Sequence, residues 1–270
     1  MLDHALWIGG PPATGKTSIA RRLARRYGLR LFSTDTQTWA HLDRAIAAGC
    51  EPAILWESLS PKQRWEESSP AEMLERSLLA ERGAMVVEDV SVLPHAPLVL
   101  VEGVVVPPWL VEQGLADPSR VLWLLPTPAF QDARLADAGA TAGHAILYRL
   151  VRETIERDVQ RRGLPVIAVD GTAGLDEVTE QVERHLHAHL AAGPPAADAG
   201  QRAALLREIN EGVVDQIRAG RSRPWADGHA DEAVAWFVCE CPDPGCVAEV
   251  ETTVGSAAPG PLLAPGHSGR

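Results

Sequence analysis

Lysine is almost missing from this chain. Of its 25 basic residues all but Lys16 and Lys62 are arginine, so a retained lysine marks a place that wants a compact, flexible ammonium and not a planar fork. Positive charge is scarce altogether. The formal net charge of −11 at pH 7 argues against a protein that coats nucleic acid regardless of sequence. Long apolar runs are missing too: none reaches the ~18 residues expected of a membrane-spanning helix. The chain also enters a strand-like segment almost at once, so no signal peptide is expected and a cytoplasmic setting is. Cysteine is limited to Cys50, Cys239, Cys241 and Cys246, a set that suits a reducing compartment better than a disulfide framework. Apolar residues are not scarce. They make up 46% of the chain, enough for a real core, which excludes a wholly disordered protein.

Against that background Lys16 sits in "GPPATGKTS", directly after the apolar run "ALWI". Gly10, Pro11, Pro12, Ala13, Thr14, Gly15, Lys16, Thr17 and Ser18 fit the Gly-x-x-x-x-Gly-Lys-Ser/Thr template of a phosphate-binding loop. The glycines permit a tight turn in which successive backbone N–H groups face one anion-sized hollow. Lys16 supplies charge for outer phosphates, and the Thr17 hydroxyl can ligate Mg²⁺. Downstream, Ile19, Leu23 and Tyr27 recur every four residues before Gly28, the pattern of a helix with its stop. Its N-terminal end would lie under the phosphates. Strand, glycine loop and helix thus occur in the order that phosphate binding requires.

The remaining chain reads as alternating strands and helices. "LRLFSTD" predicts a strand ending at Asp35, and "TQTWAHLDRAIAAG" a helix with Trp39, Leu42 and Ile46 on one face. "SPKQ" and "SPAE" carry capping-box chemistry. The second opens a long helix expected from about residue 70 to residue 92, although "MVVEDV" within it also fits a strand. "PLVLVEG", "RVLWLLP" and "LPVIAVDG" read as buried strands of a parallel sheet covered on both faces. The expected fold is therefore α/β, a three-layer α/β/α sandwich over residues 1–191, followed by a linker at 192–200 rich in Ala, Gly and Pro. Residues 201–270 read as a small α+β accessory region. It comprises a helix with Leu205, Ile209, Val213 and Ile217 in register, a hairpin around "PDPG", and a disordered tail.

On "GPPATGKT", the strand order along the chain and the residues at the strand ends, residues 1 to about 191 resemble the small P-loop kinases that phosphorylate metabolites or nucleosides, such as shikimate, gluconate and nucleotide kinases. No Asp-x-x-Gly, Asn-Lys-x-Asp or "LSGGQ" string occurs, which removes switch GTPases and transporter ATPases. The resemblance implies sheet order 2-3-1-4-5, Mg-ATP as phosphoryl donor, a small-molecule acceptor and a mobile lid. It implies that Asp35 orients and deprotonates the acceptor hydroxyl, the alternative being a helix cap. It implies that Glu102 holds a Mg²⁺-bound water, although the family more often has Asp there. Asp170 is the rival acid, and simple strand-end carboxylates are the alternative for both. Gly171 and Thr172 would lie near the adenine. A lid between the fourth strand and the next helix would bring in Arg134, Arg149 and Arg152. The acceptor is expected between Thr36 and Glu67, where Trp39, Trp56 and Trp65 flank Arg44 and Arg64. No arginine directly follows "VLVEG", which tilts the acceptor towards a neutral hydroxyl.

Two other readings stay open. One is a nucleotide-gated binding module with little turnover. The other is a toxin or nucleic-acid-end kinase, whose sign would be a basic groove around Arg21, Arg22, Arg25, Arg26 and Arg30. In the accessory region Cys239, Cys241 and Cys246 offer three thiolates for Zn²⁺, which wants four tetrahedral ligands. His229, Cys50 and Asp243 are candidates for the fourth, and small buried cysteines in a hairpin are the alternative.

Overall fold

The computed structural model of the chain describes residues 1–258 and 260–269. Its first part runs β1 (Ala5–Gly9), α1 (Lys16–Tyr27), β2 (Arg30–Ser33), α2 (Thr38–Ala47), α3 (Glu51–Ser58), α4 (Pro70–Glu75), α5 (Leu79–Ser91) and β3 (Val99–Gly103). It continues through β4 (Val121–Pro126), α6 (Pro128–Asp137), α7 (Ala142–Arg161), β5 (Val166–Val169) and α8 (Leu175–Ala192). The five strands pair in parallel in the order β2-β3-β1-β4-β5.

Side-chain alternation along the central strands builds the layers. Ala5 and Trp7 of β1 face the same side as Val99, Val101 and Trp123, against Val86 and Val90 of α5 and Val151 and Ile155 of α7. Leu6 and Ile8 face the other side with Leu100 and Leu122, against Ile19 and Leu23 of α1 and Val182 and Leu186 of α8. Both faces of the sheet are therefore covered, which is why its central strands are apolar runs.

The long helix expected over 70–92 is two helices. Leu78 takes a left-handed conformation at φ +56° and is buried, so the chain turns there and α5 restarts beside the sheet. "MVVEDV" is helical within α5, not a strand. The Ser69–Glu72 capping box is formed as anticipated, with both reciprocal hydrogen bonds.

Beyond α8 come α9 (Ala199–Arg221), the antiparallel hairpin β6 (Val234–Val238) and β7 (Glu249–Thr253), and the short α10 (Val254–Ala257). The Ala/Gly/Pro stretch before α9 lies against the main sheet: Leu98 N–H donates to Pro194 O and Ala196 N–H to Gly28 O, each at 2.8 Å. The helix α9 then packs along β2 and α2, with Glu208 gripping Arg30 through two hydrogen bonds of 2.9 and 3.2 Å. An edge strand covered by a helix cannot pair with another chain. The approach is close at Gly220, where an added Cβ would meet Trp39 Nε1 at 2.7 Å.

Because α9 has partners on two sides, its buried positions are Leu205, Leu206, Asn210 and Val214, while Ile209, Val213 and Ile217 are half-buried. The Asn210 amide is satisfied by Val238 on both its backbone groups and by Glu240. The tail expected to be disordered is packed instead. Leu262 joins Phe237, Val214 and Val254 in a small core, and Ala264 is buried beside the cysteines; Pro259 and Arg270 lie outside the described residues. Phe237 is the largest side chain of that small core and is fully buried. Phe237→Ala is expected to lower unfolding free energy by about 3–5 kcal/mol, measured by urea denaturation followed by tryptophan fluorescence.

Candidate functional site at the carboxyl ends of the strands

The glycine loop between β1 and α1 has the conformation its residues suggest. Gly10 lies at φ +141°, Ala13 at +72° and Gly15 at +81°. A Cβ on Gly10 would come within 2.3 Å of Leu124 O, so β4 passes too close for any other residue. Pro11 and Pro12 have no N–H to offer, and each presents a carbonyl instead. Pro11 O accepts from Lys16 Nζ at 2.7 Å and from Thr14 Oγ1 at 3.3 Å, and Pro12 O accepts from Gln131 Nε2 at 3.4 Å. The backbone N–H groups of Gly15, Lys16 and Thr17 have no protein acceptor among the described residues. Orphan donors at a helix start, with a buried ammonium folded over them, make a cradle that fits an anion. Ser18 is exposed in the first turn of α1.

Glu102, at the end of β3, is fully buried. Thr17 Oγ1 donates to its carboxylate oxygens at 3.3 and 3.2 Å, and Ser33 Oγ at the end of β2 donates to Oε1. Burial, and then the Asp35 charge, push the Glu102 carboxyl above its ordinary range, against Lys16 and the two hydroxyl donors. Burial pushes the Lys16 ammonium down, opposed by Asp35 and Glu102. Two strand ends and a helix start thus share one buried acid beside one buried amine. Thr17 and Glu102 together are an oxygen pair of the kind that suits a hard cation.

Asp35 sits just beyond β2, in a single helical turn over Thr34–Gln37. The strand ends two residues earlier than anticipated. No side-chain cap is made at the start of that turn or of α2, so the capping role weighed for Asp35 is not realised. Among the described residues its exposed carboxylate has only a 3.5 Å contact from Thr34 Oγ1. Asp35 lines a cavity of about 490 Å³ together with Pro12 of the glycine loop, Trp39, Trp56, Trp65, Arg82, Tyr148 and Gln216.

Arg82, Tyr148, Gln131 and Gln216 were not singled out in the sequence. Arg82 of α5 donates to Thr34 O and Thr38 Oγ1, each at 3.0 Å, and burial holds its guanidinium below the usual range while Asp35 opposes this. Burial and the Asp35 charge raise the Tyr148 phenol. Gln216 Oε1 of α9, Arg82 Nε and Gln131 Oε1 are buried and have no hydrogen-bond partner among the described residues. None of these follows from local spacing, because each reaches the site from a distant element.

The anticipated acceptor segment is divided in its uses. Trp39, Trp56 and Trp65 line the cavity, but Trp39 and Trp56 also pack on Trp225 from the C-terminal region, with Arg64 stacked between Trp56 and Trp225 at 3.9 and 4.0 Å. Arg44 turns away to Asp89 and Glu88. The arginines anticipated on a lid lie on the helices either side of the α6–α7 connection: Arg134 of α6 is exposed near Asp137, Arg149 of α7 pairs with Asp132 at 2.8 Å, and Arg152 of α7 is buried against Glu156 and Glu153. His144 at the start of α7 stacks on Trp65 at 3.9 Å and joins the two walls. After β5, Gly171 takes φ +88° and packs by Phe130, while Thr172 N–H and Oγ1 both donate to Asp170. Those bonds hold the Asp170 carboxyl below its ordinary range and occupy it as a turn residue.

The arginines of α1 and β2 form no open basic groove. Arg21 pairs with Glu249, Arg22 with Asp176, Arg26 with Glu183 and Arg30 with Glu208, and Arg25 is buried against backbone carbonyls. In the C-terminal region Cys239, Cys241 and Cys246 do converge, and the fourth member is His267, not His229, Cys50 or Asp243. His229 is exposed, Cys50 packs beside α2, and Asp243 accepts from Gly245 N–H in the turn.

No family model matches the chain, and no curated protein matches it. Among the described residues no helix is long and apolar enough to cross a membrane.

Gly10 and Gly49 separate steric from conformational cost. Both have positive φ, but an added Cβ at Gly49 meets nothing within 4 Å. Gly49→Ala is expected to cost roughly 1–2 kcal/mol. Gly10→Ala is expected to cost clearly more, because the backbone of β4 must move; paired thermal melts of the two variants check this.

Proposed function

We propose that this chain is an ATP-dependent phosphotransferase that moves the γ-phosphoryl group to a hydroxyl of a small molecule. The observation that carries this reading is a shared cavity: Asp35 and Pro12 of the glycine loop line the same hollow. A carboxylate with no structural task then faces the place where the loop would present a phosphate. Ligands of parallel α/β sheets bind outside the carboxyl ends of the strands, where these groups converge.

Each residue then has a defined task. The N–H groups of Gly15, Lys16 and Thr17 and the Lys16 ammonium bind the phosphate oxygens of the nucleotide. Thr17 Oγ1 would be the protein ligand of Mg²⁺, and Glu102 would hold its water shell; when bound, the ion neutralises charge on the phosphate oxygens. Asp35 accepts the proton of the acceptor hydroxyl as its oxygen bonds to the γ-phosphorus. The bond from that phosphorus to the β–γ bridging oxygen breaks, and ADP leaves. Trp39, Trp65 and Tyr148 provide flat apolar walls suited to a ring or sugar-like acceptor. Arg149 and Arg152 would exchange their carboxylate partners for the transferred group as the α6–α7 segment closes.

The test is ADP release from Mg-ATP with pooled sugars, nucleosides and hydroxylated antibiotics as acceptors. Acceptor-dependent ADP is expected from the natural chain and none from Lys16→Ala, which should also lose ATP binding. Asp35→Asn should retain ATP affinity while turnover falls about 10²–10⁴-fold; unchanged turnover removes Asp35 from the mechanism. ATP binding without any acceptor-dependent ADP would favour a nucleotide-gated binding module, the reading that Gln216 of α9 in the cavity wall also supports.

A further inference from the structure

The three cysteines and His267 come from two separate stretches of the C-terminal region. Cys239 and Cys241 follow β6, Cys246 closes the "PDPG" turn, and His267 returns 21 residues later. His267 Nδ1 lies 3.5, 3.3 and 3.5 Å from the Sγ atoms of Cys239, Cys241 and Cys246. The four atoms all lie within 4.8 Å of one another, and none of the cysteines is in a disulfide. A zinc ion at ~2.3 Å from sulfur and ~2.0–2.1 Å from nitrogen implies tetrahedral edges of about 3.5–3.8 Å. The cluster has the dimensions and the donor set of such a site. The sulfurs are buried, whereas the histidine is exposed, which leaves a way in for an ion.

A second, independent observation comes from Arg25 on α1. Its guanidinium is buried, with 4% of the residue exposed, yet no carboxylate pairs with it among the described residues. It donates instead to Cys241 O at 2.7 Å, to Asp243 O at 3.3 Å and to Cys239 O, and it approaches Cys241 Sγ at 3.8 Å. A buried cation without a counter-charge is costly. A divalent zinc ion with three thiolates and a neutral imidazole carries one net negative charge, the counter-charge that Arg25 lacks. Ala264 N–H also donates to Cys239 Sγ at 3.3 Å, the kind of outer contact that stabilises a coordinated thiolate.

We propose that Cys239, Cys241, Cys246 and His267 bind one Zn²⁺ in a closed, structural site, and that Arg25 neutralises it from outside the ligand shell. With four protein ligands there is no open position for substrate, so the ion serves architecture and not chemistry. It ties the hairpin and the chain after α10 to α1, the helix that starts at Lys16. The same clamp keeps α9 along β2, with Gln216 in the cavity wall. Nothing in this proposal depends on phosphoryl transfer.

The test uses the full-length chain, purified under reducing conditions from zinc-supplemented culture and dialysed before elemental analysis. One equivalent of zinc per chain is expected. Replacement by Co²⁺ should give the intense visible bands of a tetrahedral thiolate site. Cys246→Ser should lose stoichiometric zinc, and Arg25→Met should keep the cobalt spectrum while zinc affinity falls about 10–100-fold. If a variant does not fold, metal content and cobalt spectrum of the natural chain still decide. Natural protein without zinc, a cobalt spectrum of octahedral oxygen type, or a mass showing two of these cysteines joined would overturn the proposal. So would Cys246→Ser with its full complement of zinc.

Discussion

The buried carboxylate of Glu102 is the charge around which the strand ends are arranged. A carboxylate removed from water needs donors and a nearby cation, and here they come from three directions. Ser33 reaches it from the end of β2, Thr17 from the first turn of α1, and Lys16 supplies charge from the glycine loop. Satisfying that one group ties the ends of β2 and β3 and the start of α1 to each other. Asp35, two residues beyond Ser33, is thereby held near the same loop. Its charge is felt at Glu102, Lys16, Arg82 and Tyr148, so the site behaves as one electrostatic unit.

The C-terminal region is joined to this unit too closely to act as a detached appendage. Helix α9 covers the β2 edge, Trp225 completes a tryptophan and arginine stack with Trp56 and Arg64, and Arg223 pairs with Asp43 and lies over Trp39. The walls that close the cavity beside Asp35 are therefore held partly from outside the strand–helix core. A change in the seating of α9 would be read directly in the cavity through Gln216.

The elements that were legible in the sequence share one feature: their cause is local. Strands β1, β3, β4 and β5 announce themselves because a covered parallel sheet needs apolar runs. The turn at Gly10–Gly15 does so because few residues tolerate that backbone, and the Ser69 cap because its partner is three residues away. What could not be read has non-local causes. The break at Leu78 arises because α5 must lie on the sheet while α4 packs on α7. The tail carries many small residues and prolines, yet Leu262 and Ala264 find a hairpin to pack against. The buried face of α9 is rotated from its apolar stripe because two surfaces compete for it, and Asn210 is accepted inside because β6 offers backbone partners.

The same division runs through the candidate site. Sequence alone determined the glycine loop, with Lys16 and Thr17 following it, and the acids Asp35 and Glu102 at strand ends. It also determined three thiols around one turn. Each of these is a statement about neighbours along the chain. Only the tertiary structure decided that Asp35 caps nothing and faces a cavity, that Arg82, Tyr148 and Gln216 line it, and that His267 and Arg25 meet the cysteines. Those meetings depend on how whole helices are seated by buried charge and apolar packing, and spacing along the chain carries no record of them.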